Sequence, residues 1–292
     1  MNGKRIGVLA LALAAAMPAA AQQKIDETKA AAKDGAVEVH NVSGSVRITG
    51  WDREQVSVTG TLGKGSERLE FASEGRRTVV RVVLPRNAHH VDGTDLEIRV
   101  PSGSSLEVQT VSADIAVEKV SGEQELESVS GRVALLGEPK RFSARSVSGD
   151  VEITASGAPG RAKSVSGGIK LSGVTGDVEA GSVSGDIVVK GDTVNRVDLE
   201  TTSGDIRLDA GLAKDARVSA KTVSGEVELT LPAATAADFD VTTFSGAVTN
   251  EFGPPAKNTS EYGPGKELSF STGSGGRVLA KSFSGNVHLR KK

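Results

Sequence analysis

The chain of 292 residues contains no cysteine, only nine aromatic residues and almost no net charge. Without cysteine there is no disulfide framework, no thiolate metal site and no thiol nucleophile. With one Trp, one Tyr and seven Phe, platforms for stacking nucleobases and aromatic girdles for a membrane barrel are poorly supplied. Lys and Arg number 35 against 37 Asp and Glu, so no basic field exists to hold a phosphate backbone or anionic lipid. Nucleic acid is excluded as an expected partner. Apolar runs are short everywhere except near the start.

That start reads as an export signal spanning residues 1–21. Lys4 and Arg5 form a positive region, Ile6 to Met17 an apolar stretch, and Ala19, Ala20 and Ala21 a small-residue cleavage site, with the cut expected between Ala21 and Gln22. The apolar stretch falls short of the ~20 residues that a spanning helix needs. The expected mature chain is exported, to the periplasm, the cell surface or the medium, and carries no membrane span.

What the sequence has in abundance is glycine, 35 residues of it, and much of it is periodic. A unit of five residues, Val/Thr/Phe, Ser/Thr, Gly/Ala, any residue, Val/Ile, begins at Val42, Val111, Val129, Val147, Val165, Val174, Val183, Thr202, Val223, Phe244 and Phe283, and Val120 starts a partial copy. The main spacing from Val111 to Val183 is 18 residues, with Val120 and Val174 at half-period, and it widens to 19, 21, 21 and finally 39. A repeat this short describes one coil of a solenoid. The expected fold is therefore all-β, a parallel β-helix of about 18–21 residues per coil. A sandwich of hairpins would use variable strands joined by Asn-Gly-like turns, and a left-handed hexapeptide helix would repeat at six.

Strand periodicity assigns the faces. In Val147 to Ile153 the odd positions Val147, Val151 and Ile153 are expected inside, with Ser148, Asp150 and Glu152 outside. The same count places Val129, Val165, Val183 and Val223 in the interior. Gly149 and its counterparts fall at an inward position without a side chain, suited to a sharp bend or a close approach of the opposite wall.

Four segments follow from the patterning. Residues 22–35 are polar and Ala-rich, a flexible arm. Residues 36–107 hold seven short alternating segments, from Val37–Val39 to Leu106–Val108, expected as irregular coils that cap an exposed edge. Residues 108–292 form the regular solenoid. Within it, residues 250–276 carry the turn signals Gly253-Pro254-Pro255 and Gly263-Pro264-Gly265 and are expected to protrude. Five of the seven Phe lie between Phe239 and the C-terminus, and Phe252, Tyr262 and Phe270 are the expected contacts of an interaction loop.

Val42 to Asp52 (Val-Ser-Gly-Ser-Val-Arg-Ile-Thr-Gly-Trp-Asp), Ile98-Arg99-Val100-Pro101 leading into Leu106-Glu107-Val108, and the train of Ser-Gly-Asp-Val/Ile units together resemble the bacterial putative-adhesin β-solenoid domain family, over roughly residues 36–290. The resemblance implies a parallel β-helix in an exported or envelope-associated protein. It brings no catalytic residues with it.

Candidate chemistry is sparse. Asp114, Asp150, Asp177, Asp186 and Asp205 occupy equivalent places in the unit, but Arg132 shares their column, which a row of cation ligands would not admit. The column Ser130, Ser148, Ser166 and Ser184 suits hydrogen bonding at corners. Glu152 and Lys170 are expected to pair across one coil. His89 and His90, beside Asp92 and Asp95, are the densest set of ligand-type residues, yet neighbours in an extended chain point to opposite sides. No catalytic, cofactor-binding or metal site is assigned. The expected function is that of a non-enzymatic interaction protein, with an envelope protein or polysaccharide surface as partner. A polysaccharide lyase or glycosidase, or a periplasmic regulatory partner, stays open as an alternative.

Overall fold

The computed structural model describes residues 23–86, 91–260 and 263–292. They form 22 strands and no helix. Alternation with period two decides which residues become strands and which face is buried. In Arg141–Ser146, Phe142, Ala144 and Ser146 point inward; in Val151–Ala155, Val151, Ile153 and Ala155 do. Each 18-residue step lays down two such strands, one in each of two rows.

The rows are built by parallel pairing at fixed register. Arg141–Ser146 lies between Glu123–Ser128 and Gly160–Lys163. Val151–Ala155 lies between Val133–Gly137 and Ile169–Ser182. Aliphatic side chains thus stack on their own counterparts: Val133, Val151, Ile169 and Ile187 form one buried column. The inner faces of both rows share a single core. Strands buried on one face and closed against each other in this way bury most of their apolar surface at about 25 cal/mol per Å².

One inward assignment made from the alternation is wrong. Val129, Val147, Val165, Val183 and Val223 are not core residues but are 44–51% exposed. The parity count is carried through the bend at Ser148, Gly149 and Asp150, where the chain turns from one row to the other and the phase resets. Val147 belongs to the phase of Phe142, Ala144 and Ser146, in which it is the outward residue. The half-period copies also differ from the rest, since Val120 and Val174 are buried and Asp177 therefore stands outside the Asp column.

Both ends are tucked one coil inward. Ala36–Trp51 sits between the coil of Ser105–Glu118 on one side and Arg77–Val83 with Thr94–Pro101 on the other. Gly276–Ser284 and Val287–Lys291 likewise insert between the preceding coil and Ala237–Ser245 with Val248–Asn250. The 39-residue spacing follows: Phe244 and Phe283 occupy adjacent coils, their rings stacked at 4.8 Å.

Antiparallel strands then cover the outermost coils. Arg68–Glu74 pairs with Arg77–Val83, and Lys266–Ser271 with Ala237–Ser245. Gln23–Ala30, within the segment expected to be an arm, runs antiparallel along Gln55–Leu62 and buries Ile25. Reversed pairing caps the stack and leaves short, charged edges that resist further strand addition.

Candidate functional site

The corner at Ser146-Val147-Ser148-Gly149-Asp150 is repeated coil after coil, and its backbone is satisfied from within. The Ser146 hydroxyl accepts the Gly149 N–H at 2.9 Å and donates to the Gly131 carbonyl of the preceding coil at 3.2 Å. Ser164 and Ser182 repeat both bonds, and Thr201, Thr222, Thr243 and Ser282 repeat the second. The N–H groups of Val147 and Ser148 both reach the Val129 carbonyl, at 3.2 and 2.9 Å. With its main chain fixed on both sides, the valine side chain has one direction left, outward.

The glycine of each corner is set by a close approach. A Cβ on Gly149 would lie 2.0 Å from the Gly131 carbonyl oxygen, and one on Gly167 2.1 Å from that of Gly149. The neighbour is the adjacent coil rather than the opposite wall.

The Asp column is also accounted for by backbone. Asp114, Asp150, Asp186 and Asp205 each accept the N–H of the residue one coil on (Arg132, Gly168, Asp205 and Glu226) at 2.8–2.9 Å, and Asn286 does the same for Ala247. Arg132 fits because only its N–H is used. Among the described residues no group of three or more His, Asp or Glu is placed to hold a metal ion.

What remains unsatisfied along this corner is apolar surface. Among the described residues, eight of the nine large hydrophobic residues that are exposed, Val111, Val129, Val147, Val165, Val183, Val223, Phe244 and Phe283, stand in this single row. Beside it runs a groove of about 980 Å³, lined along its floor by Ser128, Ser146, Ser164 and Ser182. A second hollow of about 350 Å³ lies at the stacked Phe244 and Phe283. The far lip is charged. Arg145 Nη1 meets Glu127 Oε1 at 2.5 Å, and Lys163 Nζ meets Glu179 Oε1 at 2.7 Å. The Lys163 ammonium, bonded to Glu179, holds that carboxyl below the usual glutamate range. Arg145, Glu127, Lys163 and Glu179 are thus paired with one another along the lip, and the exposed valines beside them are suited to contact with an apolar ligand face.

Other expected residues fall elsewhere. Phe252 and Phe270 are half-buried and both stack on the core residue Phe239, at 5.3 and 4.7 Å. Tyr262, the pair His89 and His90, and the export signal with Ala21 and Gln22 lie outside the described residues. Glu152 and Lys170 pair as expected, at 3.0 Å, and Arg132 joins from the other side. The inward serine one position before the unit lies outside the five-residue repeat; its signal is the Ser or Thr that precedes nearly every unit, as in Ser128-Val129, Ser146-Val147 and Thr222-Val223.

The sequence model of the family described as Toastrack DUF4097 matches residues 32–215. No curated protein matches the chain. Among solved structures, a putative adhesin from Bacteroides fragilis is 14% identical, with 92% of this chain and 98% of that one covered and a TM-score of 0.44. A putative lipid binding protein from Parabacteroides distasonis is 14% identical, with coverages of 92% and 97% and a TM-score of 0.44. A putative cell adhesion protein from Clostridium sporogenes is 12% identical, with coverages of 92% and 100% and a TM-score of 0.23.

Proposed function

The chain belongs to the Toastrack DUF4097 family, and from that premise we propose that it is a non-enzymatic, adhesin-like interaction protein of the cell envelope. In this reading it is a parallel β-helix of 18–21 residues per coil, exported by residues 1–21 and cut between Ala21 and Gln22. The corner groove with its outward valine row is the contact surface, and the segment 250–276 with Phe252, Tyr262 and Phe270 adds a second contact region at the C-terminal end. An envelope protein or polysaccharide is the partner.

The observation that carries the proposal is the row of exposed valines. A solvated apolar row repeated over many coils costs solubility in a free protein, and contiguous apolar surface of this kind marks interaction sites. A solenoid presents it as one long strip. Incubating the purified protein with peptidoglycan and a panel of bacterial glycans, and separating bound from soluble material, tests the reading. Retention on an envelope fraction without new soluble fragments is expected. Release of cleaved glycan would instead identify a carbohydrate-active enzyme.

A further inference from the structure

Repeat geometry at the groove narrows what can lie against it. Outward residues of the row, valines except for Thr202, Phe244 and Phe283, recur once per coil, at the ~4.8 Å strand spacing. An extended peptide laid along the row would present same-side residues every ~6.7 Å and lose register within two or three coils. A second copy of this chain has the same repeat, and its row stays in register over the whole contact.

Charge along the far lip adds a direction. In spatial order the column two residues before each outward residue reads Glu127, Arg145, Lys163, Gly181, Glu200, Lys221, each directly paired in register with the next. A two-fold axis perpendicular to the coil axis, passing between Lys163 and Gly181, reverses this column against itself. Arg145 then faces the partner's Glu200, Glu127 faces the partner's Lys221, and Lys163 faces the partner's Gly181, whose missing side chain leaves room for it. Glu200 and Lys221 lie side by side in register, and the two-fold sets them against the in-chain pair of Arg145 and Glu127. The same axis sets Val165 against the partner's Val183 and Val129 against the partner's Val223.

We propose that two copies of this chain associate antiparallel through the outward valine row, with Arg145 to Glu200 and Glu127 to Lys221 pairs fixing the register. The proposal rests on reading the groove as a contact surface, and makes a second copy its occupant in the free protein, to be displaced when an envelope partner binds.

Sedimentation of the purified protein at about 100 µM, above the Kd of a specific weak contact, is expected to give twice the chain's mass. Val165→Glu is expected to weaken the dimer at least about tenfold, as for a central interface residue, with its thermal unfolding unchanged. Arg145→Glu is expected to weaken it as well, and adding Glu200→Arg to restore it. Because the chain has no cysteine of its own, orientation is read from thiols. A mixture of Val129→Cys and Val223→Cys proteins is expected to form a disulfide-linked pair, whereas Val129→Cys alone is not. A monomer at that concentration, a dimer indifferent to Val165→Glu, or self-linking of Val129→Cys alone overturns the proposal. Envelope binding is read separately, so a monomer that still binds envelope overturns the dimer and leaves the proposed function standing.

Discussion

Two adjacent glycines show how sharply the stacking selects residues. A Cβ on Gly167 would meet the Gly149 carbonyl oxygen at 2.1 Å, whereas one on Gly168 would meet nothing nearer than 3.7 Å. Gly167→Ala must push two coils apart and is expected to cost about 3 kcal/mol, at the upper end of overpacking. Gly168→Ala should stay within about 1 kcal/mol of the parent, since it adds ordinary contact and removes freedom from the unfolded chain. Urea denaturation of the two variants checks this, and equal losses would contradict the close approach. The glycine column itself is legible in the sequence, because it recurs in nearly every unit, with Ala113 the exception. Its cause is not, since an inward residue without a side chain is equally compatible with a bend or with a neighbouring backbone. The outward valines were illegible for a different reason. Period two holds along a strand, and Val147, just past the end of Arg141–Ser146, is separated by the corner from Val151, which opens the next strand.

At the scale of strands, register is held by cross-coil ties of two kinds. Asp114, Asp150, Asp186 and Asp205 accept backbone N–H groups one coil away. Glu152 accepts from Lys170 on one side and Arg132 on the other, and these bonds hold its carboxyl below the ordinary glutamate value of 4.5. A depressed carboxylate contributes stability that is present above its unfolded value and is lost as pH falls through the folded one. Glu152→Gln is therefore expected to be less stable than the parent at pH 7, with the difference shrinking once the pH drops below 4.5. Paired unfolding curves at pH 7 and pH 3 measure it, and a difference independent of pH would contradict the ion-pair account. The Glu152 to Lys170 pair was readable because both residues sit at the same place in units 18 residues apart. Arg132 lies two positions from that column, and its reach along the surface follows only from the coordinates.

For the molecule as a whole, the ends and the corner answer different problems. A stack of strands exposes two open edges, and here each terminal coil is enclosed by an excursion of the chain, with Arg68–Glu74 and Gln23–Ala30 at one end and Lys266–Ser271 at the other running antiparallel. The alternating segments of residues 36–107 fall in strands, but the first of these strands, Ala36–Trp51, lies inside the later Arg77–Val83 and Thr94–Pro101, an inversion of chain order. No local pattern encodes that inversion; it follows from which coil is left uncovered. The corner, in contrast, is left open along its length, and its valines have no structural task once the backbone around them is satisfied. If the row exists for contact, the double variant Val147→Lys with Val165→Lys must lose binding and keep its fold. Solvent-facing substitutions away from the core should leave the thermal midpoint within about 2 °C of the parent, while retention on the envelope fraction falls by at least about tenfold. A large drop in the midpoint, or undiminished retention, would contradict it.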